Sequence, residues 1–335
     1  MDRRQKALIK RILTVFVPLV ILLVLSIAGT DAYFAYRIVR PPKESVINTP
    51  QGYEQILQKP IWDEKTWQGS GSPIEGWLIY QDHPAPTVIL THGYGSNREE
   101  MLSTSYRLWD VGYNVVTYDV RAHGNSSAKD SSLGPVELDD LKATIAYVKG
   151  LKNDAGVSIY DGRIGLFGVD MGGFISLTAG AQDPDVKAVA TDTIYPSQEE
   201  YLKYQSKVIV GATGPPGSSI VETGWFQSLL ASTIGTFAKS GSRPMPAADA
   251  INQLSPRPVL LIISKTAPLG QYTRIVAQSS PGAKTLEFDH THSGHALLKQ
   301  DAQIYDDAVV EFFTQATDFT PPARTTRPDK EKRSI

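Results

Sequence analysis

The 335-residue chain contains no cysteine. That absence removes a thiol nucleophile, a thiolate metal site, a redox pair and a disulfide framework, and it leaves both sides of a membrane open as the compartment. A surplus of charge is lacking too: 33 Lys and Arg stand against 35 Asp and Glu. With no net field to attract phosphate or an acidic partner, a nucleic-acid binder is not expected. No internal repeat of solenoid length is present, and Pro and Gly are too scattered for a collagen-like or low-complexity chain. Function has to come from local constellations of residues.

The even charge balance conceals an uneven distribution. Residues 1–11 hold five basic side chains, and Ile12 to Gly29 then runs eighteen residues without a charge. At about 1.5 Å per residue such a run reaches roughly 27 Å, close to the thickness of a bilayer hydrocarbon core and longer than the apolar region of a cleavable signal. The segment reads as a retained signal anchor, with Pro18 tolerated inside it and Tyr33, Phe34 and Tyr36 where an interfacial aromatic belt would fall. Arg37, Arg40 and Lys43 follow, so the basic bias favours a cytoplasmic N-terminus and an extracytoplasmic domain. A long secretory signal cleaved near Ala28 or Ala32 is the second reading, and it also takes the domain across a membrane.

The expected organisation is a basic tail at 1–11, an anchor at 12–29, a juxtamembrane linker at 30–60, a large domain at 61–316 and an unfolded Pro-rich, charged tail at 317–335. Inside the large domain, short β-branched runs alternate with amphipathic stretches, the signature of an α/β fold with a mostly parallel sheet. Strands are expected at Trp77–Tyr80, Thr87–Thr91, Asn114–Tyr118, Arg163–Phe167, Lys187–Thr191, Pro258–Ile263 and Lys284–Phe288. Helices are expected at Glu99–Asp110, Val136–Lys152, Met171–Ala181 and Ala296–Thr314. The Gly- and Pro-rich stretch at about 197–250 is too long for a bare loop and reads as an inserted cap over the strand ends.

Two motifs fall at those ends. Gly168-Val169-Asp170-Met171-Gly172-Gly173 is a strand, tight turn and helix of the form G-x-S-x-G, with aspartate where serine would stand. The turn lifts Asp170 toward the first N–H groups of the next helix, so the carboxylate is expected to be ionised, with a lowered pKa, and exposed to a pocket. His92-Gly93-Tyr94-Gly95-Ser96 follows another strand and is able to aim the Tyr94 N–H at the same point as the Met171 N–H, forming an oxyanion hole.

These segments resemble the α/β-hydrolase superfamily, in its serine-hydrolase branch of esterases, lipases and serine aminopeptidases. Asp119-Val120-Arg121-Ala122-His123-Gly124-Asn125-Ser126 resembles the family's D-x-R-x-H-G-x-S segment, the strand at 258–263 its acid-bearing strand, and Ser293-Gly294-His295 its terminal histidine loop. The resemblance implies an α/β-hydrolase fold with a small cap, Asp170 at the nucleophile position, His295 as base, and His92, Gly93, Gly168 and Gly172 as structural motif residues. The sequence departs from the pattern at Asp170 and again after Ile263, where Ser264-Lys265-Thr266-Ala267-Pro268 offers no carboxylate. A Ser-His-Asp acyl transfer therefore cannot be written.

Aspartate nucleophiles occur on this fold in haloalkane dehalogenases and epoxide hydrolases, where the carboxylate forms an ester that a histidine-activated water hydrolyses. Those relatives usually carry Trp after the nucleophile and Pro closing the oxyanion loop, whereas this chain has Met171 and Gly95. Asp192, on the strand after the nucleophile strand, and Asp289, six residues before His295, are the candidate acids. Asp192 also reads as a turn cap, and His295 as a packing residue. The spacing His290-x-His292-x-x-His295 suits zinc but lacks the further ligands a hydrolytic site needs, so no metal or other cofactor is expected. Two functions remain: a membrane-anchored hydrolase of a small ester-like or related substrate, and a hydrolase-fold pseudoenzyme that binds a ligand or a protein partner.

Overall fold

The protein is described by a computed structural model covering residues 3–50, 61–153, 155–213, 220, 223–237, 241–289 and 302–320. An N-terminal helix α1 (Arg3–Val39) precedes β1 (Ile61–Gln68), β2 (Pro73–Tyr80) and β3 (Ala85–Thr91). A short 3-10 turn leads into α2 (Leu102–Asp110), β4 (Asn114–Tyr118), α3 (Pro135–Lys149), β5 (Tyr160–Val169), α4 (Met171–Gln182) and β6 (Val186–Asp192). The insertion supplies α5 (Gln198–Thr213) and α6 (Gly224–Phe237). The chain then forms α7 (Ala247–Leu254), β7 (Val259–Ser264), α8 (Pro268–Gln278), β8 (Lys284–Phe288) and α9 (Ala302–Ala316).

The eight strands form one sheet in the order β1-β2-β4-β3-β5-β6-β7-β8, antiparallel at β1, β2 and β4 and parallel beyond. β3 is buried at every residue, as its Val-Ile-Leu run requires for a strand covered on both faces. One apolar cluster joins the sheet to α3, α4, α7 and α8, and a second joins the opposite face to α2 and α9. All seven expected strands are present. β1, with Asp63, Glu64 and Lys65 in its middle, does not carry the apolar signal of a strand; charge in that position protects an exposed sheet edge.

Two boundaries differ from expectation. Residues 30–39, read as the start of a linker, continue α1 without a break to Val39. Phe34, Ala35, Ile38 and Val39 are buried, and Phe34 packs edge-on against Phe226 of α6, so tertiary contact extends the helix past its apolar run. The insertion after β6 does form helices, and α7, at its end, packs on α4 as part of the main body. The part of the expected last helix before residue 302, and the terminal tail beyond 320, lie outside the described residues.

Candidate active site

The tight turn between β5 and α4 forms because its flanks are glycine. A Cβ on Gly172 would meet the carbonyl oxygens of Thr91 and His92 inside van der Waals contact, and one on Gly168 would meet the Gly172 backbone. This close packing presses the turn onto the end of β3. Asp170 is held at φ 50° and ψ −115°, a conformation that costs a non-glycine residue about 1–3 kcal/mol. Its own N–H donates to the Asp192 carbonyl at 2.8 Å, which ties the ends of β5 and β6 together.

The Asp170 side chain is 4% exposed. Its Oδ2 accepts hydrogen bonds from the Tyr94 N–H at 3.1 Å and from the Tyr201 hydroxyl, on α5, at 2.7 Å. Its Oδ1 has no partner among the described residues. The expectation of an ionised, exposed carboxylate with a lowered pKa is corrected here. Burial pushes the Asp170 pKa up to about 7, and the opposing pull of Tyr201 and of the Tyr94 and Met171 N–H groups does not offset it. Removing a carboxylate from water outweighs a few donors when tyrosine rings pack over it.

That roof was not legible as a site. Tyr201 stacks on Tyr195 with ring centroids 3.9 Å apart, and the Tyr94 ring meets Tyr201 and His123 edge-on. The Tyr195 hydroxyl is buried without a partner among the described residues. Tyr94 also donates its hydroxyl to the Ile38 carbonyl at 2.8 Å, so the loop that follows β3 is braced against the end of α1.

Asp192 is fully buried at the end of β6, accepting from the Tyr305 hydroxyl of α9 at 2.9 Å and from the Thr193 hydroxyl. Asp289 is exposed just beyond β8. Asp192 thus adjoins Asp170 through the strand-end hydrogen bond, whereas Asp289 faces solvent. His295, with His290 and His292, lies outside the described residues. A third carboxylate was missed: Glu100 accepts from the Gly93 N–H at 3.2 Å, and burial pushes its pKa up to about 7, with Asp192 and Asp170 adding repulsion. Three residues after Asn97, which does cap the 3-10 turn, Glu100 looks in sequence like the second half of a capping box.

The two remaining motif histidines are structural and neutral. His92 joins its Nδ1 to the Gly93 carbonyl at 2.7 Å and accepts the Val120 N–H at Nε2, at 2.9 Å, and burial lowers its pKa to about 4. His123 joins its Nδ1 to the Arg121 carbonyl and is lowered to about 3 for the same reason. Arg121 pairs with Asp140 at 2.8 Å and braces its loop. Among the described residues no cluster of three or more His, Cys, Asp or Glu is arranged to hold a metal ion.

Comparison with known proteins fits this geometry. Residues 88–308 match the sequence model of the Alpha/beta hydrolase family. The uncharacterised protein YqkD of Bacillus subtilis is 27% identical over 255 residues, spanning 75% of this chain and 78% of its own. Among solved structures, an esterase of Pyrococcus furiosus superposes with a TM-score of 0.63 at 21% identity, covering 84% of this chain and 99% of its own. The esterase Est1E of Butyrivibrio proteoclasticus superposes at 0.53 and 14% identity, covering 76% of this chain and 98% of its own. At those identities the likeness speaks for the fold.

Proposed function

The chain belongs to the alpha/beta hydrolase family, and on that premise we propose that it is a membrane-anchored hydrolase of a small ester-like or related substrate, with Asp170 as nucleophile. The observation that carries this reading is the asymmetry of the Asp170 carboxylate. Oδ2 lies against the Tyr94 N–H while Oδ1 has no partner among the described residues. In a covalent route on a substrate with a saturated electrophilic carbon, such as an epoxide or haloalkane, Oδ1 attacks that carbon, an Asp170–substrate ester forms, and the leaving group departs with the bonding electron pair. Water, deprotonated by His295, then adds to the Asp170 Cγ, and the negative charge develops on Oδ2, in front of the Tyr94 and Met171 N–H groups. Collapse expels the product alkoxide, which takes up a proton, and restores the carboxylate. Asp192 is the acid that would orient the histidine.

The anchor half of the proposal rests on α1, which is long and apolar enough to cross a bilayer and whose most apolar eighteen-residue window is wholly unburied. The orientation favoured by the basic residues leaves the hydrolase domain extracytoplasmic.

One observation favours the second reading, a pseudoenzyme that binds a ligand or partner. Tyr201 closes over Asp170, so the carboxylate is all but shut from solvent. The test is turnover by the full chain against short esters, epoxides and haloalkanes, with Asp170→Asn, Asp170→Ser and His295→Ala alongside. Loss of about three orders of magnitude in Asp170→Asn, together with a trapped covalent ester in His295→Ala, is the expected outcome. An inert parent chain with esterase activity emerging in Asp170→Ser would instead identify a decayed serine site.

A further inference from the structure

The end of α1 does not simply tether the domain; it packs along a cap helix that carries no charge. Phe34 meets Phe226, and Asp31, three residues nearer the apolar run, accepts at Oδ2 from the Thr233 hydroxyl. Moving back along α1 toward Gly29 therefore means moving forward along α6, and the two helices run in opposite directions. The last turn of α6 points down α1 toward its apolar segment.

The sequence of α6, Gly-Trp-Phe-Gln-Ser-Leu-Leu-Ala-Ser-Thr-Ile-Gly-Thr-Phe, has no ionisable side chain in fourteen residues. Its inner face, Phe226, Leu230 and Ile234, is buried. Its outer face carries Trp225, 51% exposed, and Leu229, 38% exposed, with Ser228, Ser232 and Thr236 also exposed on it. The hydroxyls of Ser228 and Thr236 donate to the Gly224 and Thr233 carbonyls of the same helix. Those two side chains have satisfied their donors internally, as a helix facing a water-poor medium requires. Tyr33 and Tyr36 are exposed on the neighbouring stretch of α1.

We infer that the outer face of α6 is a second membrane contact, seated in the headgroup and upper acyl region of the bilayer that α1 crosses. The inference rests on α1 spanning that bilayer. Thr233 stands level with Asp31, two residues past the apolar run, and Phe226 with Phe34, five residues past it, so at about 1.5 Å per residue of α1 the helix α6 slopes from roughly 3 Å outside the apolar run at Thr233 to roughly 7–8 Å at Phe226, beside Trp225. A headgroup layer about 5–8 Å thick on each side then takes in the second half of α6 and leaves Trp225 at its outer rim, the level tryptophan prefers. Burial of this face in the interface would fix the cap, and with it the α5 helix that carries Tyr201, at the membrane surface.

The cysteine-free chain makes the test direct. The full chain is reconstituted in phosphatidylcholine–phosphatidylglycerol vesicles with one cysteine at a time, Leu22→Cys, Leu229→Cys, Thr236→Cys or Val157→Cys, each carrying a nitrobenzoxadiazole label. A lipid with a spin label on a shallow acyl carbon is expected to quench Thr236→Cys at least about twofold and Leu229→Cys less, leaving Val157→Cys untouched. Quenching at Leu22→Cys with labels at 229 and 236 behaving like 157 would overturn the inference and leave the anchor standing; no quenching at Leu22→Cys would overturn the anchor itself. Labels at 229 and 236 shielded from aqueous iodide yet unquenched by lipid would assign the face to a second copy of the chain, which also overturns it. Circular dichroism confirms that each labelled chain keeps the parent fold.

Discussion

Two buried aspartates at the carboxyl ends of the two strands that flank β3 are bonded in different ways. Asp119, after β4, has both carboxylate oxygens bonded: the Arg98 N–H donates to Oδ1 at 2.9 Å and the Asn125 N–H to Oδ2 at 2.9 Å. The Arg98 guanidinium lies 3.7 Å from Oδ2 and stacks over Trp77. Gly124, at φ 45°, closes the loop so tightly on the Asp119 carboxylate that no side chain fits. Asp170, after β5, has two donors on one oxygen and none among the described residues on the other. Asp119, bonded at both oxygens, fastens its loop; Asp170, in a strained turn and bonded at one oxygen among the described residues, has the arrangement that the proposed nucleophile role requires.

Removing each carboxylate should separate the two roles. Asp119→Ala leaves the buried backbone N–H groups of Arg98 and Asn125 without their acceptor while Arg98 keeps Glu64, and it is expected to cost about 2–4 kcal/mol in urea unfolding of the full chain in detergent. Asp170→Asn should act in the other direction. The folded-state pKa of about 7 lies above the unfolded value of 3.8, so the native protein holds a proton that the unfolded chain has lost. The associated stability is fully present below the unfolded value and is lost as pH rises through 7. Between about pH 5 and pH 8 that loss amounts to roughly 2–3 kcal/mol. Unfolding midpoints of Asp170→Asn across the same range should lose this part of the slope and keep the part that Glu100, also raised to about 7, contributes. A slope undiminished in Asp170→Asn would mean that Asp170 does not hold the proton.

The smallest expected effect tests the roof. Tyr201→Phe removes a donor that holds the Asp170 pKa down, so the ionisation midpoint should climb by about one unit in the pH–rate profile, with about 1 kcal/mol lost in stability. A midpoint unmoved by Tyr201→Phe would mean that burial and the Tyr94 and Met171 N–H groups set the charge on Asp170 without Tyr201.

Much of this fold is legible in the chain because its interior strands are continuous β-branched runs and its elbow needs glycine at fixed offsets. β4 falls on its expected bounds for that reason. β1 is hidden because an edge strand is selected for charge, and Glu100 because its place after a capping residue offers a simpler explanation. Tyr201 gives no local signal at all: it lies thirty-one residues from Asp170, in the cap, where sequence pattern is weakest.

The sequence by itself determined the apolar N-terminal run, the strand segments, the tight turn with aspartate at its apex and the glycine-bearing turn after β3, since each depends on neighbours within a few residues. Tertiary structure alone decided how that aspartate behaves. Whether a carboxylate is charged depends on the water and dipoles around it, and here those are set by the ends of β3, β5 and β6 and by a tyrosine brought down from the cap. It also decided that α1 ends against α6 and braces the loop after β3 through Tyr94, because contacts between segments far apart in sequence arise only once the chain has folded.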